Sequence, residues 1–588
     1  MRPVVQHTGL IDDAVEARAY QLEAVDEALT GSMLLVLPTA AGKTAVAWML
    51  IAEMLGKNEG WILFVAPTNP LVDQHIRNLK RVIKNIEDIN LISMTGSTPP
   101  EKRKDLWNSA RIIVATPQVV RNDVLSGTLC LENCTLLVLD EAHHSTGKHA
   151  MAQTAELYNS KSKKPLLLGM TASPGSKTEM VAEICERLQI ERIHMRTAKE
   201  PMIEKYLAGL EIQEIVVNVP EKIRELVTPL ELWINGIVNR ERRLGKYVRP
   251  GNPSFGGLKE AMARAQHAIS LGDASAYSSV SQIATAMTLN HLINHLLTQG
   301  ITAAREFLDN SSDIKNETSK SLQNFHRDPR IIELKNVLKG MEEIHTKVGT
   351  VRRLIRHRLR RDPQSKVIVF ASYRNTVDSL DSALEDLQDV KSVKVVGQSE
   401  RSGKKGLRPK QQIEILNKFR EGKYNVLVAT SVAEEGLDIP SADLVIFYEP
   451  VGSEIRTIQR RGRTGRHREG EVMVLVAEGT RDENAKISAE RKEENMQRAV
   501  QRIRRNLPRK AHQDLSKIKN FSVKMGTEES TAANFIRKIR EEHRPEIIKI
   551  DKSKTIIESK ETKSLEPQNF RPRGQTGLEE FRNKTEEK

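Results

Sequence analysis

The sequence predicts an α/β protein: two parallel-sheet domains, an all-helical domain inserted between them, and a charged C-terminal tail. Three observations predict it. Short apolar runs alternate with amphipathic stretches in two separate blocks, as a βα-repeating parallel sheet requires. Between the blocks the apolar residues switch to helical spacing. After the second block the chain is crowded with Lys, Glu, Arg and Asn and poor in aromatics. The expected boundaries are 1–200 for the first domain, 220–343 for the helical insert, 345–510 for the second domain and 511–588 for a partly disordered tail.

In the first block the strand candidates are Met33–Leu37, Ile62–Ala66, Ile112–Ala115, Leu136–Leu139 and Leu166–Met170, each followed by a polar turn and a helical pattern. Ligands of such sheets sit beyond the carboxyl ends of the strands, so the turns are where chemistry is expected. Leu37-Pro-Thr-Ala-Ala-Gly-Lys-Thr44 follows a strand and opens a helix, the context of a phosphate-binding loop. The loop Pro38, Thr39, Ala40, Ala41 and Gly42 surrounds phosphates with the backbone N–H groups that follow Pro38, aided by the helix N-terminus. Lys43 is placed to reach the β- and γ-phosphates of ATP and Thr44 to ligate Mg²⁺. Asp140-Glu-Ala-His143 closes the apolar strand 136–139. There Asp140 is a candidate Mg²⁺ ligand and Glu141 the candidate base that orients and deprotonates the attacking water.

In the insert, Ile223, Leu226, Val227 and Leu230 fall at helical spacing, as do Leu289, Leu292, Ile293, Leu296 and Leu297. Arg240, Arg242, Arg243, Lys246 and Arg249 accompany a single acid, Glu241. The cluster is either a solvated helix face or a phosphate-contacting patch, with Arg240, Arg243 and Lys246 the candidate contacts. The segment 351–361 carries six arginines around a stripe of Val351, Leu354, Ile355 and Leu359, which leaves them mostly exposed. In the second block Lys366–Ala371, Val393–Val396, Asn425–Ala429, Leu444–Tyr448 and Glu471–Val476 read as strands. Gln459-Arg-Arg-Gly-Arg-Thr-Gly-Arg466 follows, and its two glycines make a poor helix. Guanidinium groups on such a segment can meet the charge that develops on a γ-phosphoryl group.

The bulk properties agree with these motifs. The 588 residues carry a net charge of +14, which suits a polyanionic partner. No apolar run is long enough to span a bilayer, and Met1–Ala14 lacks the basic-then-apolar pattern of a secretory signal. Three cysteines, Cys130, Cys134 and Cys185, point to a reducing compartment, and Cys130 and Cys134 have no second ligand pair to make a zinc site. The expected location is therefore cytoplasmic.

Taken together, these segments resemble the motifs of superfamily 2 helicases, whose two motor domains are RecA-like. The phosphate loop 37–44, the box 140–143, Thr171-Ala-Ser173 and Gln459–Arg466 match motifs I, II, III and VI. Ala66-Pro-Thr68, Thr95-Gly96 and Ala115-Thr-Pro117 resemble the strand-contacting motifs. Phe370-Ala-Ser-Tyr-Arg374 resembles motif IV, Thr430–Pro440 resembles motif V, and Arg18-Ala-Tyr-Gln21 stands where the adenine-reading glutamine does. Val396-Gly-Gln398, Gly406-Leu407, Ser431–Asp438, Phe447–Pro450 and the insert itself are most similar to the archaeal Hef fork helicases, relatives of the Fanconi-anaemia M translocase. The resemblance implies Gln21 for adenine, Gly436 and Asp438 meeting the nucleotide from the second domain, and Gln459, Arg463 and Arg466 at the γ-phosphate. It implies Thr171 and Ser173 as coupling residues, and Thr68, Thr116 and Thr430 on the nucleic-acid backbone, which positions without reading sequence.

What it implies functionally is an ATP-driven, Mg²⁺-dependent helicase or translocase on forked or branched DNA, moving 3′ to 5′ in replication-fork repair. A separate nuclease or sliding clamp is a possible partner. Two departures stand out. Ala40 replaces the usual glycine, which costs about 1 kcal/mol if the position needs positive φ. Glu490-Arg-Lys492 resembles the start of the Hef nuclease signature, but Met496 stands where an acid is required, so a chance match on a helix is expected. The rival readings are an RNA-directed helicase of the RIG-I and Dicer type and a non-catalytic nucleic-acid-binding scaffold.

Overall fold

The structure, a computed structural model, describes residues 2–38, 41–57, 59–198, 200–207, 212–310, 320–397, 407–430, 442–450, 471–507 and 514–543. Two parallel sheets of the RecA type dominate it. The first has seven strands in the order β4-β5-β3-β6-β7-β2-β8: β2 Met33–Val36, β3 Trp61–Val65, β4 Leu91–Met94, β5 Ile112–Ala115, β6 Cys134–Asp140, β7 Leu167–Thr171 and β8 Arg192–Met195. Its central strands are buried from end to end because helices cover both faces, and this is why they read as unbroken Val/Ile/Leu runs.

The second sheet has the order β11-β12-β10-β13-β14-β9, with β9 Ile212–Val217, β10 Val367–Ala371, β11 Ser392–Val395, β12 Val426–Thr430, β13 Leu444–Phe447 and β14 Glu471–Ala477. β9 precedes the helical insert in the chain yet pairs in parallel with β14. The insert is therefore held on both sides by the second sheet. It consists of the helices Glu221–Arg243, Phe255–Ser270, Ala276–Asn294, Ile301–Asn310, Lys320–Arg327 and Pro329–Lys339 around its own apolar core, in which Ile223, Val227, Leu230, Leu289, Leu292 and Leu296 are buried. Between its third and fourth helices, His295–Gln299 forms a turn of π-helix.

Two findings correct the expected ends of the motor domains. The helix Arg481–Asn506 starts against the second sheet, where Asp482 meets Lys347 at 2.6 Å, but Met496, Ala499 and Val500 are buried in the core of the first domain. It thus straddles both. The segment after 513 is also not simply a charged tail: β15 Ser522–Met525 and β16 Glu528–Thr531 form a hairpin, and β15 pairs antiparallel with β1, Val4–Gln6. Leu515, Ile518, Phe521, Val523 and Ile536 are buried in the first domain's core beside Tyr20 and Leu22. That cover explains why the helix Ala19–Ala28 is buried on every side and still carries acids: Glu23 pairs with Arg196 at 2.6 Å, Glu27 with His194 at 2.8 Å, and Asp26 accepts from the Lys517 amide at 2.9 Å. Among the described residues no helix is long and apolar enough to cross a membrane.

Candidate nucleotide site

The phosphate loop leaves the carboxyl end of β2, and Lys43 is the first residue of the helix Lys43–Lys57. Gly42 makes the turn with φ +77°, and a Cβ there would lie 2.2 Å from the Gln21 amide nitrogen, so the position requires glycine on two counts. Gln21 donates to the Ala41 carbonyl at 2.8 Å and Tyr20 Oη to the same oxygen at 2.9 Å. The loop is thus pinned from the helix that precedes it. Gln21 Oε1 is buried with no hydrogen-bond partner among the described residues, an acceptor that suits the amino group of adenine.

Asp140 ends β6, which neighbours β7, which neighbours β2, so the box and the loop share one edge of the sheet. His75 Nε2 lies 2.8 Å from Asp140 Oδ2 and the Glu141 amide donates to Oδ1 at 3.1 Å. Burial would raise the Asp140 carboxyl, but the hydrogen bond and charge of His75, with Lys43 nearby, bring it below the usual carboxylate range. Asp140 is therefore held ionised, and a hard oxygen ligand in an orienting hydrogen bond fits Mg²⁺, with the half-buried Thr44 in the first turn of the helix Lys43–Lys57. Glu141 sits at φ 51°, ψ 49°, the left-handed region, which costs a non-glycine residue on the order of 1 kcal/mol or more and aims its side chain differently from that of Asp140. His143 Nδ1 lies 3.3 Å from Glu141 and 3.2 Å from Thr171 Oγ1, and the Ser173 amide donates to that same hydroxyl at 3.1 Å. His143 thereby joins the hydrolytic box to the Thr171–Ser173 segment.

The strand-contacting candidates stand at or just beyond the carboxyl ends of strands in the two sheets. Thr68 stands at the N-cap of the helix Asn69–Val82, the helix that carries His75, and Thr116 at the N-cap of Pro117–Leu125; neither hydroxyl caps its helix. Thr68 Oγ1 and, at the end of β12, Thr430 Oγ1 are buried without a partner among the described residues. In the insert, Glu241 is buried while Arg240 and Arg243 are exposed, donating among the described residues only to the Ser278 hydroxyl and the Asn239 carbonyl. Lys246 is instead committed to Asp273 at 3.5 Å and Arg249 to Glu260. In the helix Thr346–Arg361 one arginine departs from the exposed pattern: Arg358 is buried against Ser365 and Glu471. Thr39, Ala40, Gly436, Asp438, Gln459, Arg463 and Arg466 lie outside the described residues.

Sequence reasoning did not single out Tyr20, His75 or the linking role of His143. The box itself contains His143, so its offset from Glu141 was a usable signal; His75 lies on a different helix and only the fold brings it to Asp140.

Comparison with known proteins bears on what this edge does. Residues 18–181 match the family described as DEAD/DEAH box helicase, and residues 346–468 the helicase conserved C-terminal domain. The crystal structure of the Pyrococcus furiosus Hef helicase domain superposes with a TM-score of 0.62 at 36% identity, covering 80% of this chain and 98% of that one. A Methanocaldococcus jannaschii protein named as an ATP-dependent RNA helicase is 35% identical over 85% of this chain and 62% of its own length. An ATP-dependent DNA helicase of Neurospora crassa is 30% identical over 79% of this chain and 41% of its own length. The chain thus spans less than two thirds of either curated relative. With both motor domains matched and the Hef helicase domain covered almost completely, the chain belongs to the DEAD/DEAH box helicases of superfamily 2, on the branch of Hef and Fanconi-anaemia M.

Proposed function

We propose that this chain is an ATP-hydrolysing DNA motor that engages forked or branched DNA and moves 3′ to 5′ along one strand, in the service of fork repair. The observation that carries the reading is the His75 bridge: the helix that begins at the strand-contacting Thr68 also holds the carboxylate of Asp140. A shift of the strand at Thr68 and a change at the nucleotide then move one rigid element. Lys43 meets the phosphate charge, Glu141 orients water and takes its proton, and His143 relays the state of the box to Thr171 and Ser173. Bound Mg²⁺ would neutralise charge on the β- and γ-oxygens, with Asp140 and Thr44 as its protein ligands. Gln459, Arg463 and Arg466 complete the site from the second domain. The exposed Arg240 and Arg243 give the insert phosphate contacts on the duplex arm, so binding is sequence-tolerant and salt-dependent.

ATP turnover measured with single-stranded, duplex and forked DNA and with double-stranded RNA at equal salt tests this. Strongest stimulation by the fork supports it. Strongest stimulation by RNA favours the RNA-directed reading, which the name of the Methanocaldococcus relative supports. Opposite end-labelled tailed duplexes test the direction, and only a substrate with a 3′ tail should be unwound.

A further inference from the structure

The insert touches the second motor domain through a buried polar joint whose insert side, Gln299, belongs to none of the segments that match helicase motifs. The π-helical turn ends at Gln299, 4% exposed, whose amide donates to Glu449 Oε2 at 3.0 Å and whose carbonyl oxygen Oε1 accepts from Thr376 Oγ1 at 2.7 Å. The Gln299 backbone carbonyl accepts from Tyr448 Oη at 3.0 Å. Glu449, two residues beyond β13, takes the Ser372 amide on its other oxygen. Ser372 follows β10 directly, and Thr376 opens the helix Arg374–Leu384 just behind it. One buried amide on the insert thus holds the carboxyl ends of two central strands of the second sheet.

The turn is shaped for this contact. Gly300 follows it at φ +113°, where a Cβ would meet the Glu343 carboxylate. That carboxylate receives the first amides of the next helix, from Ile301 at 3.2 Å and Thr302 at 2.9 Å. A π-turn inserts an extra residue into a helix at a cost, and such turns collect where a side chain must be aimed. Here the aimed side chain is Gln299. On the motor side the joint continues: Lys347 Nζ lies 5.0 Å from the Tyr448 ring centre and pairs with Asp482 at the start of the helix that reaches into the first domain's core. The segment 451–470, which carries Gln459–Arg466, follows Glu449 in the chain.

We propose that the Gln299–Glu449 pair is the joint through which nucleic acid on the insert controls ATP turnover, with both side chains acting as positioning residues. This rests on the reading of the insert as a nucleic-acid-bearing domain. When the insert moves with its duplex, Gln299 carries Glu449 and the Ser372 amide with it, resetting the carboxyl ends of those two strands. Buried networks of this kind have two arrangements rather than a continuum, because a half-broken one leaves a charge without partners.

The test is a charge swap in the full chain. Gln299→Glu sets two carboxylates against each other. Combined with Glu449→Gln, the contacts of the pair with each other, Ser372 and Thr376 are restored in mirror image: the new amide donates to the carboxylate at 299, its carbonyl accepts from the Ser372 amide, and Thr376 still donates to 299, while the Gln299 donation to Thr298 Oγ1 at 3.2 Å is the one bond lost. The readouts are ATP turnover without nucleic acid, turnover with saturating forked DNA, and fork affinity by fluorescence anisotropy. The expected result is about a tenfold loss of stimulation in Gln299→Glu, with unstimulated turnover and affinity within about twofold of the parent and stimulation recovered in the swap. Full stimulation in Gln299→Glu, a swap no better than the single change, or a parallel fall of unstimulated turnover would each overturn the joint. Should Gln299→Glu fail to fold, Gln299→Met, neutral and of similar volume, answers the same question, and unimpaired stimulation in it also overturns the joint. Failure of the underlying reading looks different: Arg240→Ala with Arg243→Ala would leave fork affinity unchanged.

Discussion

Phe521→Ala probes whether the chain beyond 513 is a working part of the ATP-binding domain. The ring is 1% exposed and stacks on His7 with centroids 4.4 Å apart and planes at 22°. His7 in turn bonds Glu53, which also receives the Asn520 amide, so the ring closes a seam between the C-terminal hairpin and the phosphate-loop helix. Truncating a buried phenylalanine costs about 3–5 kcal/mol, of which the stack supplies on the order of 1 kcal/mol. In a domain of this size each kcal/mol moves the midpoint by roughly 2–4 °C, so the first domain should melt about 10 °C earlier. Scanning calorimetry with and without ATP reads this, because nucleotide binding marks which transition belongs to the first domain. A melt within about 2 °C of the parent would refute the reasoning, since no buried ring of this size is lost so cheaply from a packed core.

Three further outcomes follow from named contacts. Lys347→Ala should destabilise the second domain by about 3–5 kcal/mol in urea titrations, because it strands the Asp482 carboxylate inside with, among the described residues, the Ala477 amide as its remaining partner. His75→Ala should raise the Mg²⁺ concentration needed for half-maximal ATP turnover about 10–100-fold, since the bond orienting Asp140 is gone. Burial, followed by the charge of His291, holds the His295 imidazole down at about 4 against an ordinary 6.5. Above pH 6.5 it is neutral in both states, and between 6.5 and 4 the unfolded chain takes the proton first. Stability therefore decreases as the pH is lowered from 6.5 to 4, by on the order of 3 kcal/mol, and urea midpoints of His295→Gln should lack that part of the decrease.

Most strands that a reader of the sequence finds are the ones buried on both faces, the edge strand Ser392–Val395 being an exception. Ile112–Ala115 and Val426–Thr430 have no polar residue to interrupt them until their ends. The strands missed are edges or near-edges: Leu91–Met94 and Arg192–Met195 are short and mixed, and Ile212–Val217 belongs to a sheet whose other strands lie far along the chain. The C-terminal hairpin was illegible for a related reason. Its strands are largely charged or polar, and of the few apolar anchors Leu515, Ile518 and Phe521 fall three apart on chain that forms neither helix nor strand, because they fit a surface that another part of the chain provides. The candidate site divides the same way. Lys43, Asp140 and Glu141 announce themselves because local backbone geometry makes the site; His75 and Gln299 do not, because their partners are 65 and 150 residues away.

Forked-DNA-stimulated ATP turnover by Lys43→Ala, beside the unaltered chain, tests the motor most directly. With the amine gone, nothing on the loop replaces its charge at the β- and γ-phosphates, and turnover should drop by at least about a hundredfold while the protein still melts cooperatively. Turnover undiminished by that change would mean that phosphate is not held at this sheet edge, and the account built on Lys43, Asp140 and Glu141 would be wrong.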